Sequence, residues 1–271
     1  MKDKIENTPI DCLDFSSNEN RFSQGDVIAW KGNRDYLKKA AIVVTADCDL
    51  AKGKNWGRVT VVPLIPATDY FKKFYIPKQL EKLESALVPL FADAIQKSLL
   101  PQQAADPTSH TFETLLGVNS LPSGVSSPDA VALHSLIRKA RGHVAAKDPF
   151  KTLDEALLTI NAKTNNLTKD RITNFINNPP GDCIVLPRIN GLGKDINIAF
   201  LRLLRELQGT SVSLKTSQED EKKGRRIGRL IPVLRYRLTQ TLAQVFSDIG
   251  LPDSYESELK KEKNIFLSEI S

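Results

Sequence analysis

The spacing of apolar residues divides this chain. Three early runs have strand character: GDVIAW (Gly25 to Trp30), AAIVVT (Ala40 to Thr45) and RVTVVPLIP (Arg58 to Pro66). The first places Val27 and Ala29 on one face and Ile28 and Trp30 on the other, while the second and third carry consecutive β-branched residues that are stiff and crowd a helix. The unbroken apolar run from Ala40 to Val44 predicts a strand covered on both faces. Gly25-Asp26 is a turn signal that opens the first strand, and Pro63 inside the third predicts an edge or a bulge. The three read as a meander.

From residue 67 the period lengthens. Leu80, Leu83, Leu87, Phe91 and Ile95 make one helical stripe, which Pro89 should kink. Leu153, Leu157 and Ile160 make another, and Ile172, Phe175 and Ile176 a shorter one. Ser127-Pro128-Asp129 starts a further helix, and Pro101 to Ser109 and Leu121 to Pro128 read as linkers. Strand grammar resumes after Pro179-Pro180 at GDCIVLPRI (Gly181 to Ile189), then INIAFLRLL and SVSLKT, with an Asn190-Gly191 hairpin turn between the first two. The chain then enters GRRIGRLIPVLRYRLTQTLAQVFSDIGLP, which reads as a basic helix. Pro232 lies in the first turn of its amphipathic part, Leu234, Leu238, Leu242, Val245, Phe246 and Ile249 form one face, and Gly250 is the stop. The order predicts an α+β fold: a small β-barrel from residues 22–66 and 181–251, a helical insertion at 67–180, a C-terminal helix, and a charged tail at 252–271.

At 271 residues the chain can bury a substantial core. No apolar run approaches the roughly 18 residues of a membrane span, and MKDKIENTPIDC lacks the apolar centre of a signal peptide, so a cytoplasmic protein with no membrane partner is expected. Cys12, Cys48 and Cys183 are widely spaced, which supports neither a disulfide framework nor a zinc site. The net charge is +6, and its distribution matters more than its sum. Lys222, Lys223, Arg225, Arg226, Arg229, Arg235 and Arg237 fall in one stretch that can neutralise phosphates or an acidic protein. The plainer alternatives are a solvated helix end or structural ion pairs.

The order GDVIAW, KKAAIVVT and RVTVVPLIP, with SVSLKT and KKGRRIGRL before the last helix, resembles the MazF/PemK toxins over roughly residues 22 to 66 and 181 to 251. These are SH3-like barrels that cut single-stranded RNA and usually dimerise. The resemblance implies an SH3-like barrel, a toxin- or phage-defence-associated module, RNA as ligand, an antitoxin or signalling subunit as protein partner, a homodimer and, if the chain is an enzyme, an endoribonuclease. In that family an arginine before proline and a threonine after V-V-P-I carry cleavage. Lys39-Ala40 and Leu64-Ile65 stand at those places, so Lys39 inherits the catalytic position. Phosphate contacts are expected from Lys38, Lys39, Arg58, Arg225, Arg226, Arg229 and Arg235. The alternative is a non-enzymatic protein-interaction or adaptor subunit.

A second candidate chemistry lies at Thr45-Ala46-Asp47-Cys48-Asp49-Leu50. If extended geometry persists past the second strand, Asp47 and Asp49 share a face and could hold Mg²⁺ or act as an acid–base pair. No other cofactor is implied. The plainer reading is that these carboxylates close a turn on backbone amides. A Cys48 nucleophile would need a base, and His110, His134 and His143 all fall in the insertion without a recognisable signature.

Overall fold

A computed structural model of the chain describes residues 12–15, 21–98, 114–117, 119, 121, 127–160, 167–214, 223–247, 257–263 and 268. Ile249, Lys222, Pro101 to Ser109 and His110 lie outside the described residues, as do Ile265, Phe266, Leu267 and Ile270 of the tail. The chain is α+β, with a curled antiparallel sheet that forms a half-barrel. It divides into two units: one of residues 1–64, 180–194 and 199–271, the other of 65–179 and 195–198.

The strands are β1 (Leu13–Asp14), β2 (Asp26–Ala29), β3 (Ala40–Val43), β4 (Arg58–Pro66), β5 (Cys183–Leu186), β6 (Asn197–Phe200), β7 (Arg205–Gln208), β8 (Val212–Ser213) and β9 (Gly224–Leu230). Their order is β1-β9-β2-β3-β4-β6-β5, with β7 on β4 and β8 on β9. The meander expected of the first three runs is β2-β3-β4, paired antiparallel through Val27↔Ile42 and Ile42↔Val62. Alternation along β3 sends Ala40 and Ile42 into one core and Ala41 and Val43 into a second, so this strand is covered on both sides. Pro63 is not at a sheet edge, because it pairs with Ala41 of β3 inside the central strand.

The expected basic helix is divided. Gly224–Leu230 is a strand, and the helix begins at Pro232 and runs to Ser247. Leu238 is buried in the first core, and Leu234, Leu242 and Val245 pack against it, whereas Phe246 is 49% exposed.

What makes Gly224–Leu230 a strand is its pairing with β2. Asp26 pairs with Arg229 and Val27 with Gly228, but Ile28 pairs with Arg226, leaving Ile227 as a bulge. Residues three apart on a regular strand point to opposite faces. The bulge resets the alternation, so Arg226 and Arg229 both reach Asp26. Asp26 is fully buried; its Oδ1 accepts from Arg229 Nε at 2.8 Å and its Oδ2 from Ser23 N–H at 2.9 Å, with Arg226 Nη1 at 3.4 Å. Arg226 also donates to the carbonyls of Arg21 (3.2 Å) and Leu214 (3.1 Å).

The other unit is helical. Ala67–Tyr70, a π-helical turn Phe71–Tyr75 and Ile76–Ser98 run on without a break through Pro89. The π turn bonds at a period of five, and Tyr70 and Tyr75, five apart, both pack on Phe175 at 5.4 and 5.2 Å. Burial raises the Tyr75 phenol above its ordinary pKa, with the Arg171 charge acting the other way. Pro128–Ala140 is capped by Ser127, whose side chain accepts from the Ala130 N–H. His134 is buried against Phe91, its Nε2 3.0 Å from the Leu115 carbonyl, as a satisfied core residue.

Replacing the buried carboxylate tests this arrangement. Asp26→Asn leaves two guanidinium groups without their counter-charge and should cost roughly 3 kcal/mol, read from urea unfolding. A change below about 0.5 kcal/mol would show that the Asp26 charge is not what holds β9 to β2.

Candidate functional site

The bulge that turns Arg226 and Arg229 inward leaves Arg225 on the other side of β9. There it joins Lys31, Lys39 and Lys223 around a cavity of ≈ 570 Å³ that Trp30 and Asn33 also line. No carboxylate is among the lining residues. Lys31 and Asn33 come from the β2–β3 connection, which is ordered by its own side chains. Asn33 Oδ1 accepts from Asp35 N–H at 3.0 Å, Asp35 Oδ1 accepts from Leu37 N–H at 3.0 Å, and Trp30 N–H donates to Lys39 O at 2.9 Å. Gly191 and Leu192, from the β5–β6 connection, complete the wall, with Gly191 at φ 93°. A cavity with four basic side chains in its wall can attract a polyanion.

Trp30 supplies an aromatic surface that is not interleaved with the basic residues in sequence. Its indole lies over Gly224, where an added Cβ would meet Cε2 at 2.6 Å and Nε1 at 2.7 Å. The guanidinium of Arg205 stands 5.8 Å from the ring centre. Burial lowers the Arg205 pKa, while the charge of Asp35 pulls it up. Its Nε and Nη2 are buried with no hydrogen-bond partner among the described residues.

The other expected contact residues are spread over the unit. Lys38 is exposed and paired with Asp35 at 3.4 Å. Arg58 is exposed and paired with Glu206 at 3.1 Å. Arg226 and Arg229 are committed to Asp26. Arg235 lays its Cγ and Cδ against Gly25, where φ is 87° and a Cβ would fall 2.5 Å from Cγ. Of the residues named from sequence, the basic cavity brings together Lys39, Lys223 and Arg225. Lys31 and Trp30 were passed over; their only signal was a position beside the Gly32-Asn33 turn, which folds them against β9.

Extended geometry does not persist beyond β3. Asp47–Ala51 is a short helix with Asp47 and Asp49 in its first turn, where carboxylates favour the exposed amides. Two residues along a helix turn through about 200°, so the two acids point apart. Asp47 Oδ1 accepts from Gln24 N–H at 2.7 Å and lines a depression with Arg21 and Arg229. Asp49 lines a different depression and lies 4.0 Å from Lys54. Among the described residues no group of three or more His, Cys, Asp or Glu side chains could hold a metal ion. Cys48 is exposed, with Sγ 3.8 Å from Asp49 Oδ1.

Gly224→Ala should displace Trp30 and cost about 1–3 kcal/mol. Near-ultraviolet circular dichroism reads the indole directly. An unchanged spectrum and thermal midpoint would show that Trp30 has room to move.

Among the described residues no helix is long and apolar enough to cross a membrane. Comparison of the chain with protein-family models, with curated proteins and with solved structures returns no match.

Proposed function

We propose that this chain is a divergent MazF/PemK-like, SH3-like module, toxin- or defence-associated, that captures single-stranded RNA or another phosphate-bearing polymer. The observation that carries the reading is the cavity lined by Lys31, Lys39, Lys223 and Arg225 without a carboxylate. Lysines act as point charges on phosphate, and Arg225 adds a planar fork. Arg226 and Arg229 build this surface by fixing β9 to β2.

Cleavage on the pattern of the resemblance has weaker support. Ile65 stands at the threonine place, carries no hydroxyl and is fully buried. Lys39 lacks the bidentate geometry of arginine. Capture without metal-independent cleavage is therefore the reading adopted, and it overlaps the adaptor alternative in needing no reacting pair.

Two measurements bear on this. In fluorescence polarisation over a salt series, Lys39→Ala and Arg225→Ala should each weaken binding of a short single-stranded RNA and reduce the slope of log K against log salt by about 0.7. Arg226→Lys should lower the thermal midpoint and leave that slope unchanged. Equal slopes for all three variants and the parent would remove the cavity from the binding surface. Separately, the same RNA incubated in EDTA should stay intact; cleavage that vanishes in Lys39→Ala would show that lysine performs the family chemistry after all.

A further inference from the structure

Trp56 is 91% exposed, more than any other large apolar side chain among the described residues. Its backbone lies at φ 51°, and it is the one non-glycine residue at positive φ among them. That region is sterically costly for a bulky residue and persists only where the surroundings fix it. Here they do. Trp56 N–H donates to Gly53 O at 3.3 Å, Arg58 N–H to Asn55 O at 2.8 Å, and Gly209 N–H to Gly57 O at 2.8 Å. Asn55 Nδ2 donates to the Arg58 carbonyl at 2.8 Å. A pinned turn thus holds an indole in solvent, where it adds almost nothing to the core.

The depression beside this ring, ≈ 590 Å³, differs in charge from the basic cavity. Asp49, Lys54, Arg58 and Glu206 line it with Asn55 and Thr60. The acids and bases there are paired, at 4.0 Å for Lys54–Asp49 and 3.1 Å for Arg58–Glu206. Balanced charge gives a phosphate no net attraction. A flat ring edged by carboxylate, amide, hydroxyl and guanidinium groups instead suits a nucleobase, whose amines, ring nitrogens and carbonyls match those donors and acceptors. A protein hot spot would set its tryptophan among apolar neighbours, and these neighbours are polar.

The two sites lie at opposite ends of one strand. Lys39 precedes β3 and lines the basic cavity, and Thr45 follows it and lines the Trp56 depression. Six residues of extended chain span about 20 Å. Resting on the reading of the basic cavity as a phosphate site, we infer that Trp56 is a second contact for the same single strand, stacking one base of a chain whose phosphates lie about 20 Å away. A dinucleotide is too short to engage both ends, and a duplex keeps its bases stacked inside.

The chain has two tryptophans, so the full-length protein labelled with 5-fluorotryptophan gives two fluorine resonances, assigned with Trp30→Phe and Trp56→Phe. A single-stranded RNA of about eight nucleotides should move both lines. The matching duplex and a dinucleotide should leave the Trp56 line in place. Trp56→Ala should weaken the octamer roughly 5- to 100-fold with the salt slope unchanged, and Trp56→Phe should retain most of the affinity. If the octamer binds with its full salt slope and moves the Trp30 line alone, the inference fails while the phosphate reading stands. Absence of octamer binding by any readout overturns both. A Trp56 line that shifts on dilution of the free protein assigns the ring to self-association and also overturns the inference.

Discussion

A single buried carboxylate sets the order of this sheet. Asp26 sits on β2 with no solvent contact and faces two arginines from β9, a strand nearly two hundred residues later in the chain. A buried charge without a partner is severely unfavourable, so β9 must come to β2 in the register that delivers both guanidinium groups. Arg226 and Arg229 are three apart, and a regular strand would point one of them away. The bulge at Ile227 reconciles spacing with geometry, and the same bulge sends Arg225 to the opposite face. One basic segment therefore does two jobs: its inward arginines are structural, and its outward Arg225 meets Lys31 and Lys39 at the cavity.

The legible part of the fold is the part set by local pattern. The continuous apolar run from Ala40 to Val44 announced a strand covered on both faces, and Ser127-Pro128 announced a capped helix start. The Gly224 to Leu230 segment has no comparable local signal. Its sequence, GRRIGRL, is too polar to alternate visibly, and only pairing with Asp26 decides that it is a strand rather than the start of the Pro232 helix. β7 was missed for a related reason: in Arg205–Gln208 Leu207 stands as the single apolar residue among polar ones, which leaves no apolar period to read. Asp47 and Asp49 went the other way. They looked extended as a continuation of β3, but a carboxylate early in a helix is favoured by the free amides there, and the chain turns at Ala46.

The site was half legible. Lys39, Lys223 and Arg225 were named from sequence, whereas Trp30 enters because Gly224 leaves its indole space and Arg205 lies over its ring, both long-range relations. Charge also proved a better guide when sorted by surroundings than when summed. The basic cavity gathers four cations, while Arg58, expected to join them, is matched by Glu206 in a depression of balanced charge. The helical unit, with its aromatic cluster around Phe175 and its satisfied His134, reads as a body with a core of its own.

The central claim is that inward and outward arginines of one strand have separate roles, and arginine side-chain NMR tests it directly. In the free protein the Nε–H of Arg229, which is held by Asp26, should exchange slowly with water, and that of Arg225 fast. On titration with single-stranded RNA the Arg225 resonance should shift, while those of Arg226 and Arg229 stay where they were. Shifts at Arg226 and Arg229 of the same size as at Arg225, with rapid exchange of all three in the free protein, would contradict the account.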